Sequence, residues 1–220
     1  SGFAVLLDTL AYNTHYLGFN ANMLANEMYL DSADIRANVV SLAKMLGYTP
    51  ASAKAPVANI DVVVNDATGT TLTMNKGTVF TSSIDGTTYN FITNTDTTTS
   101  PVDGVFKFSS IPVYEGTPVT FRYTVDTQDP DQKYIIPSVN ADTTTLQIKV
   151  QKSLNDQTSE TYTGVSGLLK LNNESQIYFL SETDTGKFEV KFGDGIIGKK
   201  LEHGNIIIMD YIVTNRSEAN

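Results

Sequence analysis

The sequence predicts an α+β protein: an N-terminal helical hairpin followed by a mainly antiparallel β region of sandwich- or barrel-like build. Three observations carry this. From Phe3 to Leu46 there is one glycine, Gly18, and no proline, amid Ala, Leu, Met and Asn, a composition that favours helix. From Val57 onward Thr, Val, Ile, Tyr and Gly dominate, with turn signals at Asp85-Gly86, Glu115-Gly116 and Asp194-Gly195. Between them, Gly47-Tyr48-Thr49-Pro50 and then Pro56 mark a boundary, because Gly47 suits the position after a helix end and the prolines keep the chain extended. The expected division is a helical-bundle segment over 1–47, a linker over 48–56 and a β domain over 57–214. That domain is either single or split by an inserted subdomain at 101–165, and 215–220 opens a following segment.

The first helix should cover about Phe3 to Tyr29. It carries two apolar seams. Phe3, Leu6, Leu10, Leu17 and Leu24 form one, interrupted by Asn13 and Asn20. Val5, Thr9, Tyr12, Tyr16, Phe19 and Met23 form the other. A surface helix needs one stripe, so two stripes call for two neighbours. Leu30-Asp31-Ser32 breaks the helix, with Asp31 or Ser32 as N-cap of a second helix ending near Leu46. Ile35, Val39, Leu42, Met45 and Leu46 give that helix a single stripe, which can cover one seam of the first. The other seam is left for the β part or for helices of another protein.

Strands are expected at Val57–Val64, Leu72–Met74, Thr78–Ser82, Tyr89–Thr93, Gly104–Pro112, Val119–Val125, Leu146–Val150, Gln176–Leu180, Phe188–Phe192 and Ile206–Val213. Thr95 to Ser100 reads as a Thr-rich loop and Asp126 to Gln132 as an acidic one.

The net charge of −9 and pI near 4.6 argue against nucleic acid as a partner. No apolar run approaches the roughly 20 residues that cross a bilayer, so no membrane partner is expected either. Cysteine is absent, which removes thiolate chemistry and Cys-based zinc sites. The start at Ser1-Gly2, without Met or a secretion signal, reads as a piece of a longer chain.

Several constellations invite a chemical reading. Gly193-Asp194-Gly195-Ile196-Ile197-Gly198 is a literal G-x-G-x-x-G, but a dinucleotide site needs a helix after it, and the following segment is too short and ends in Gly204. Gly193, Asp194, Gly195, Gly198 and Gly204 are therefore read as a structural turn. Asp126, Asp129 and Asp131 lack the spacing of a Ca²⁺ loop and read as a solvated turn. Glu182, Asp184, Glu189 and Asp194 read as ordinary hairpin charges. The two histidines, His15 and His203, have no second imidazole at ligand spacing, and no G-x-S-x-G elbow accompanies them. No catalytic, metal or cofactor-binding residues are assigned.

Short matches along the chain resemble a known family. They are Leu6-Leu7-Asp8-Thr9-Leu10-Ala11-Tyr12-Asn13-Thr14, Arg36-Ala37-Asn38-Val39-Val40, Gly47-Tyr48-Thr49-Pro50, Lys76-Gly77-Thr78-Val79-Phe80, Tyr89-Asn90-Phe91 and Val113-Tyr114-Glu115-Gly116. The end adds Tyr178-Phe179-Leu180, Phe188 through Gly195, Gly198, Leu201, Gly204, Tyr211 and Thr214-Asn215-Arg216-Ser217-Glu218-Ala219-Asn220. Their order and spacing resemble the baseplate wedge proteins of T-even-like contractile-tail phages, in the broader baseplate J-like family. Arg216 departs from the pattern, which expects Gly there.

The resemblance implies a non-enzymatic structural subunit of the tail baseplate, represented by its N-terminal and middle portion. It implies an inner baseplate ring in which two like chains pair with a second helical wedge protein through a helical bundle. It also implies contact with the sheath-initiating protein and relay of the contraction trigger. The implied location is the virion tail baseplate, assembled in the host cytoplasm. The competing reading is a carbohydrate- or receptor-binding β module. Such a module should expose aromatics on loops, whereas the Tyr and Phe residues here fall mostly in the first helix and the expected strands. A hydrolase is the weakest reading, for want of a recognisable site.

Overall fold

The computed structural model describes residues 2–48, 50–84, 86–165 and 171–215. Thr49 of the boundary motif, Asp85 of the first turn signal and the stretch from Arg216 to Asn220 lie outside the described residues. The architecture is α+β: two helices, the first long, and then mostly antiparallel sheets. The chain forms two compact units, one of residues 1–50 with 182–186 and one of 51–181 with 187–220.

In the first unit, α1 runs Gly2–Asn26 and α2 Arg36–Met45. No residue of α1 is buried, and in α2 only Val40 is. The second helix therefore does not cover a seam of the first, contrary to expectation. Its ten residues span about 15 Å against about 37 Å for α1. The join between them also has a different basis from the one expected. Neither Asp31 nor Ser32 caps α2; Ile35 stands at its N-cap and offers no side-chain bond. Glu27, just past the end of α1, does that work from outside. Its carboxylate accepts the N–H groups of Asp34 (3.0 Å) and Ile35 (3.3 Å) and the Asn38 amide (2.7 Å). Ser32 serves the other end, its hydroxyl donating to the Asn26 carbonyl at 2.6 Å.

The second unit holds two sheets and a short ribbon. The strands are β1 Val57–Val64, β2 Leu72–Met74, β3 Val79–Ile84, β4 Thr87–Thr93, β5 Thr97–Thr99, β6 Phe106–Glu115 and β7 Thr117–Thr124. They continue with β8 Tyr134–Ile135, β9 Ala141–Gln151, β10 Ser159–Gly164, β11 Ile177–Glu182, β12 Phe188–Phe192 and β13 Ile206–Val213. Four strands in the order β1-β6-β4-β3 make a half-barrel, and β2 pairs with β5 as a ribbon. Its small core is Met74, Phe108 and Ile111, against which Ile60, Val62, Leu72 and Phe80 pack. Seven strands in the order β7-β13-β9-β10-β11-β12-β8 make the larger sheet, antiparallel in its described pairings except between β10 and β11.

That larger sheet curls until its edges nearly meet. The Tyr123 hydroxyl on β7 donates to the Ile135 carbonyl on β8 at 2.7 Å, and Tyr123 packs edge-on against Tyr134, which packs on Phe192. The interior is filled by Ile136, Ile148, Val190, Ile207 and Met209, all buried.

Two expected boundaries change. Residues 51–56 are not a free linker: Ala55 is buried and its N–H donates to Asp142 at 2.9 Å, while Ser52 accepts the Thr143 N–H at 2.9 Å. Residues 101–165 are not a unit of their own, because β6 belongs to the half-barrel and β7 to β10 belong to the larger sheet.

Candidate assembly surface

Every apolar seam residue of α1 stands in solvent. Phe3, Leu6, Leu10, Leu17 and Leu24 are 61–71 % exposed, and Val5, Tyr12, Tyr16, Phe19 and Met23 are 47–71 % exposed. By helix geometry the two seams lie about 130° apart around the axis. The polar groups of the helix do little to offset this. The hydroxyls of Thr9 and Thr14 are turned back onto the Val5 and Leu10 carbonyls (2.8 and 2.9 Å), so these side chains present their methyl groups outward. Tyr12 and Tyr16 stack with ring centres 6.3 Å apart. Asp8 is the helix's one carboxylate, and neither an acidic first turn nor a basic last turn complements the helix dipole. A helix this long with so little local support draws its stability from what it packs against.

The residues that hold the helical unit together were not singled out from the sequence. Glu182, read there as an ordinary hairpin charge, is buried, with its side chain 1 % exposed. Its carboxylate is gripped by Arg36 of α2, from Nε at 3.2 Å and from Nη2 at 2.8 and 3.0 Å. Lys44, one helix length on, donates to the Glu182 carbonyl. The partners are 146 residues apart in sequence, so no local pattern could have paired them. Glu27 is held below the usual carboxylate range, first by the Asn38 amide and then by the Asp34 N–H.

The glycine-rich turn is built as a conformational device. No helix occurs between 193 and 205, so the strand–turn–helix of a dinucleotide site is absent there. Gly195, Gly198 and Gly204 have positive φ. A Cβ on Gly193 would fall 2.2 Å from the Gly198 carbonyl carbon. Asp194 organises the loop by accepting the N–H groups of Ile196 and Ile197, both at 2.9 Å, and those bonds, Ile197 first, lower its pKa. In the acidic loop, Asp126 and Asp129 each accept a backbone N–H two residues on, those of Gln128 and Asp131. His203 lies 3.3 Å from Asp126, and His15 is exposed on α1. Among the described residues no group of three or more His, Asp or Glu converges at metal-binding distance.

No family model matches the chain. A similar protein is known, however, and the chain spans about a third of its length. Over 98 % of this chain and 34 % of that protein, at 27 % identity, the sequence aligns with baseplate wedge protein gp6 of Enterobacteria phage T4, so the chain is a relative of a phage baseplate wedge protein.

Proposed function

We propose that this chain is a structural, non-enzymatic part of a phage tail baseplate wedge, located in the virion and assembled in the host cytoplasm. In this reading α1 joins like chains and a second helical wedge protein in a bundle, and the ring so formed contacts the sheath-initiating protein and relays the contraction trigger. The observation that carries it is the exposed, doubly apolar α1, in a chain similar over nearly its whole length to a baseplate wedge protein.

The magnitudes favour a bundle over a simple pair. Burying a large apolar side chain contributes about 1.5–3 kcal/mol, so five of them give about 7–15 kcal/mol per seam. Association costs about 4–15 kcal/mol in lost freedom. One seam alone therefore gives a marginal complex, and two seams together give a firm one. Seams about 130° apart let α1 touch two neighbours on different sides. Asn13 and Asn20, set within an apolar seam, fix register at some cost in stability.

Sedimentation velocity of the chain across a concentration series tests this. Reversible self-association, or a stable complex when the chain is co-expressed with a helical baseplate partner, is the expected result. A chain that stays monomeric, ignores such partners and binds a soluble glycan through its β unit would support the binding-module reading instead.

A further inference from the structure

Within the β unit, the half-barrel and the seven-stranded barrel meet along two dissimilar lines. The first is the corner between β6 and β7. Glu115 is fully buried there, and its carboxylate accepts from the Thr214 hydroxyl (2.8 Å), the Asn215 N–H (3.1 Å) and the Asn215 amide (2.9 Å). Next to it Gly116 sits so close to β13 that a Cβ would fall 2.4 Å from the Val213 carbonyl oxygen. This corner is covalent and tightly packed, with Glu115 and Thr214 buried in it.

The second line is polar and partly open to solvent. Lys76 reaches from the β2–β3 turn of the half-barrel to Asp210 Oδ2 on β13 (3.0 Å) and Gln147 Oε1 on β9 (2.8 Å). Its side chain is 34 % exposed and that of Asp210 26 %. A cleft of about 210 Å³ lies beside this contact, lined by Pro118 and Thr120 among others, with Ile92, Thr93, Tyr211 and Ile212 buried in its walls.

Both halves of the contact are preformed. The turn that presents Lys76 is braced within the half-barrel: the Asn75 carbonyl accepts from the Thr78 and Thr93 hydroxyls, the Gly77 N–H donates to the Thr93 carbonyl, and Asp96 accepts the Lys76 N–H at 2.6 Å. On the barrel, Asp210 stands in register between Thr120 on β7 and Gln147 on β9, at the bulge before Ile212. The Thr120 hydroxyl donates to its Oδ1 at 2.6 Å. Burial would raise the Asp210 pKa, but the Thr120 and Lys76 bonds outweigh it and hold the group ionised. Alongside this pair the Asn94 amide donates to the Thr145 carbonyl (3.3 Å) and the Gln147 amide donates to the Asn94 carbonyl (3.0 Å).

We propose that Lys76 and Asp210 are a latch, and that its release lets the half-barrel rock on the barrel as a rigid body about the Glu115–Gly116 corner. A tightly packed pivot, a half-buried ionic clasp and a cleft between them are the parts of a two-position joint, in which one charge-assisted contact sets the closed position. The latch does not depend on the assembly reading of α1.

Because the chain has no cysteine, labels can be placed at will. Ser83→Cys on β3 and Arg122→Cys on β7, both at exposed sites, carry a spin-label pair that reports the distance between the two bodies. The latched protein should give one narrow distance distribution. Lys76→Met and Asp210→Asn should each add a second, displaced population while the β circular-dichroism signal is kept. The exchanged pair, Lys76→Asp with Asp210→Lys, should restore the single narrow distribution. If Lys76→Met fails to fold, Asp210→Asn decides, since it keeps the volume and the Thr120 contact. An unchanged distribution in the folded single variants, or a broad one that the exchanged pair does not recover, overturns the latch.

Discussion

Replacing Arg36 by Met isolates the contact on which the helical unit depends. The Glu182 carboxylate is almost wholly buried, and Arg36 gives it three close N–H contacts. Removing one partner of a buried pair costs about 3–5 kcal/mol, because a charge is left without compensation. The Arg36 side chain is itself 69 % exposed, so water can enter from that side and the cost should fall at the low end, near 3 kcal/mol. Glu182→Gln keeps the shape and one acceptor oxygen and removes the charge, so it should cost only about 1 kcal/mol. The double variant Arg36→Met, Glu182→Met replaces the whole pair by apolar volume and should lie within about 1 kcal/mol of the unaltered chain. Amide exchange at Val39 and Val40 in α2, with urea melts followed by helical circular dichroism, reads all three. An Arg36→Met cost below that of Glu182→Gln would refute the reasoning, since it would mean that the buried charge does not need its partner.

Further outcomes follow from the same geometry. Gly193→Ala forces a Cβ against the Gly198 backbone and should cost well over 2 kcal/mol. Gly204→Ala meets open space and should cost only the positive-φ strain of about 1 kcal/mol, as thermal melts would show. Glu115→Ala removes a fully buried carboxylate that accepts from Thr214 and twice from Asn215, and should cost about 2–4 kcal/mol in a denaturant titration. Glu27 has a folded pKa below its unfolded one, so its brace on α2 is fully present above the unfolded value and is lost as pH falls through the folded value. Exchange at Asp34 and Ile35 should therefore quicken, beyond its intrinsic pH dependence, below about pH 4, and Glu27→Gln should abolish that extra change.

Much of the β unit could be read ahead of the structure, for local reasons. β1, β2, β12 and β13 fall within their expected bounds because each is an apolar or β-branched run closed by turn residues. What escaped notice depends on distant partners. β5 is three threonines, and becomes a strand only because β2 pairs with it residue by residue. β10 is polar apart from Tyr162 and is held by Ile148 to Gln151 on β9. The cap of α2 comes from Glu27, outside the usual capping position, and the Arg36–Glu182 grip joins the two ends of a 146-residue separation. The seams of α1 were legible as a helical period, but their exposure was not, because periodicity records which residues are sticky and not what covers them.

The central claim is that α1 is an assembly surface, and the Tyr16→Asp, Phe19→Asp double variant tests it most directly. It removes about 3–6 kcal/mol of apolar burial from one seam and adds two charges to be desolvated, enough to weaken association by about a hundredfold or more. Sedimentation velocity of the variant beside the unaltered chain, with and without a co-expressed helical baseplate partner, reads the result. The account predicts loss of both self-association and partner capture, with the β circular-dichroism signal and melting transition unchanged. Assembly at unaltered strength in the double variant would contradict it.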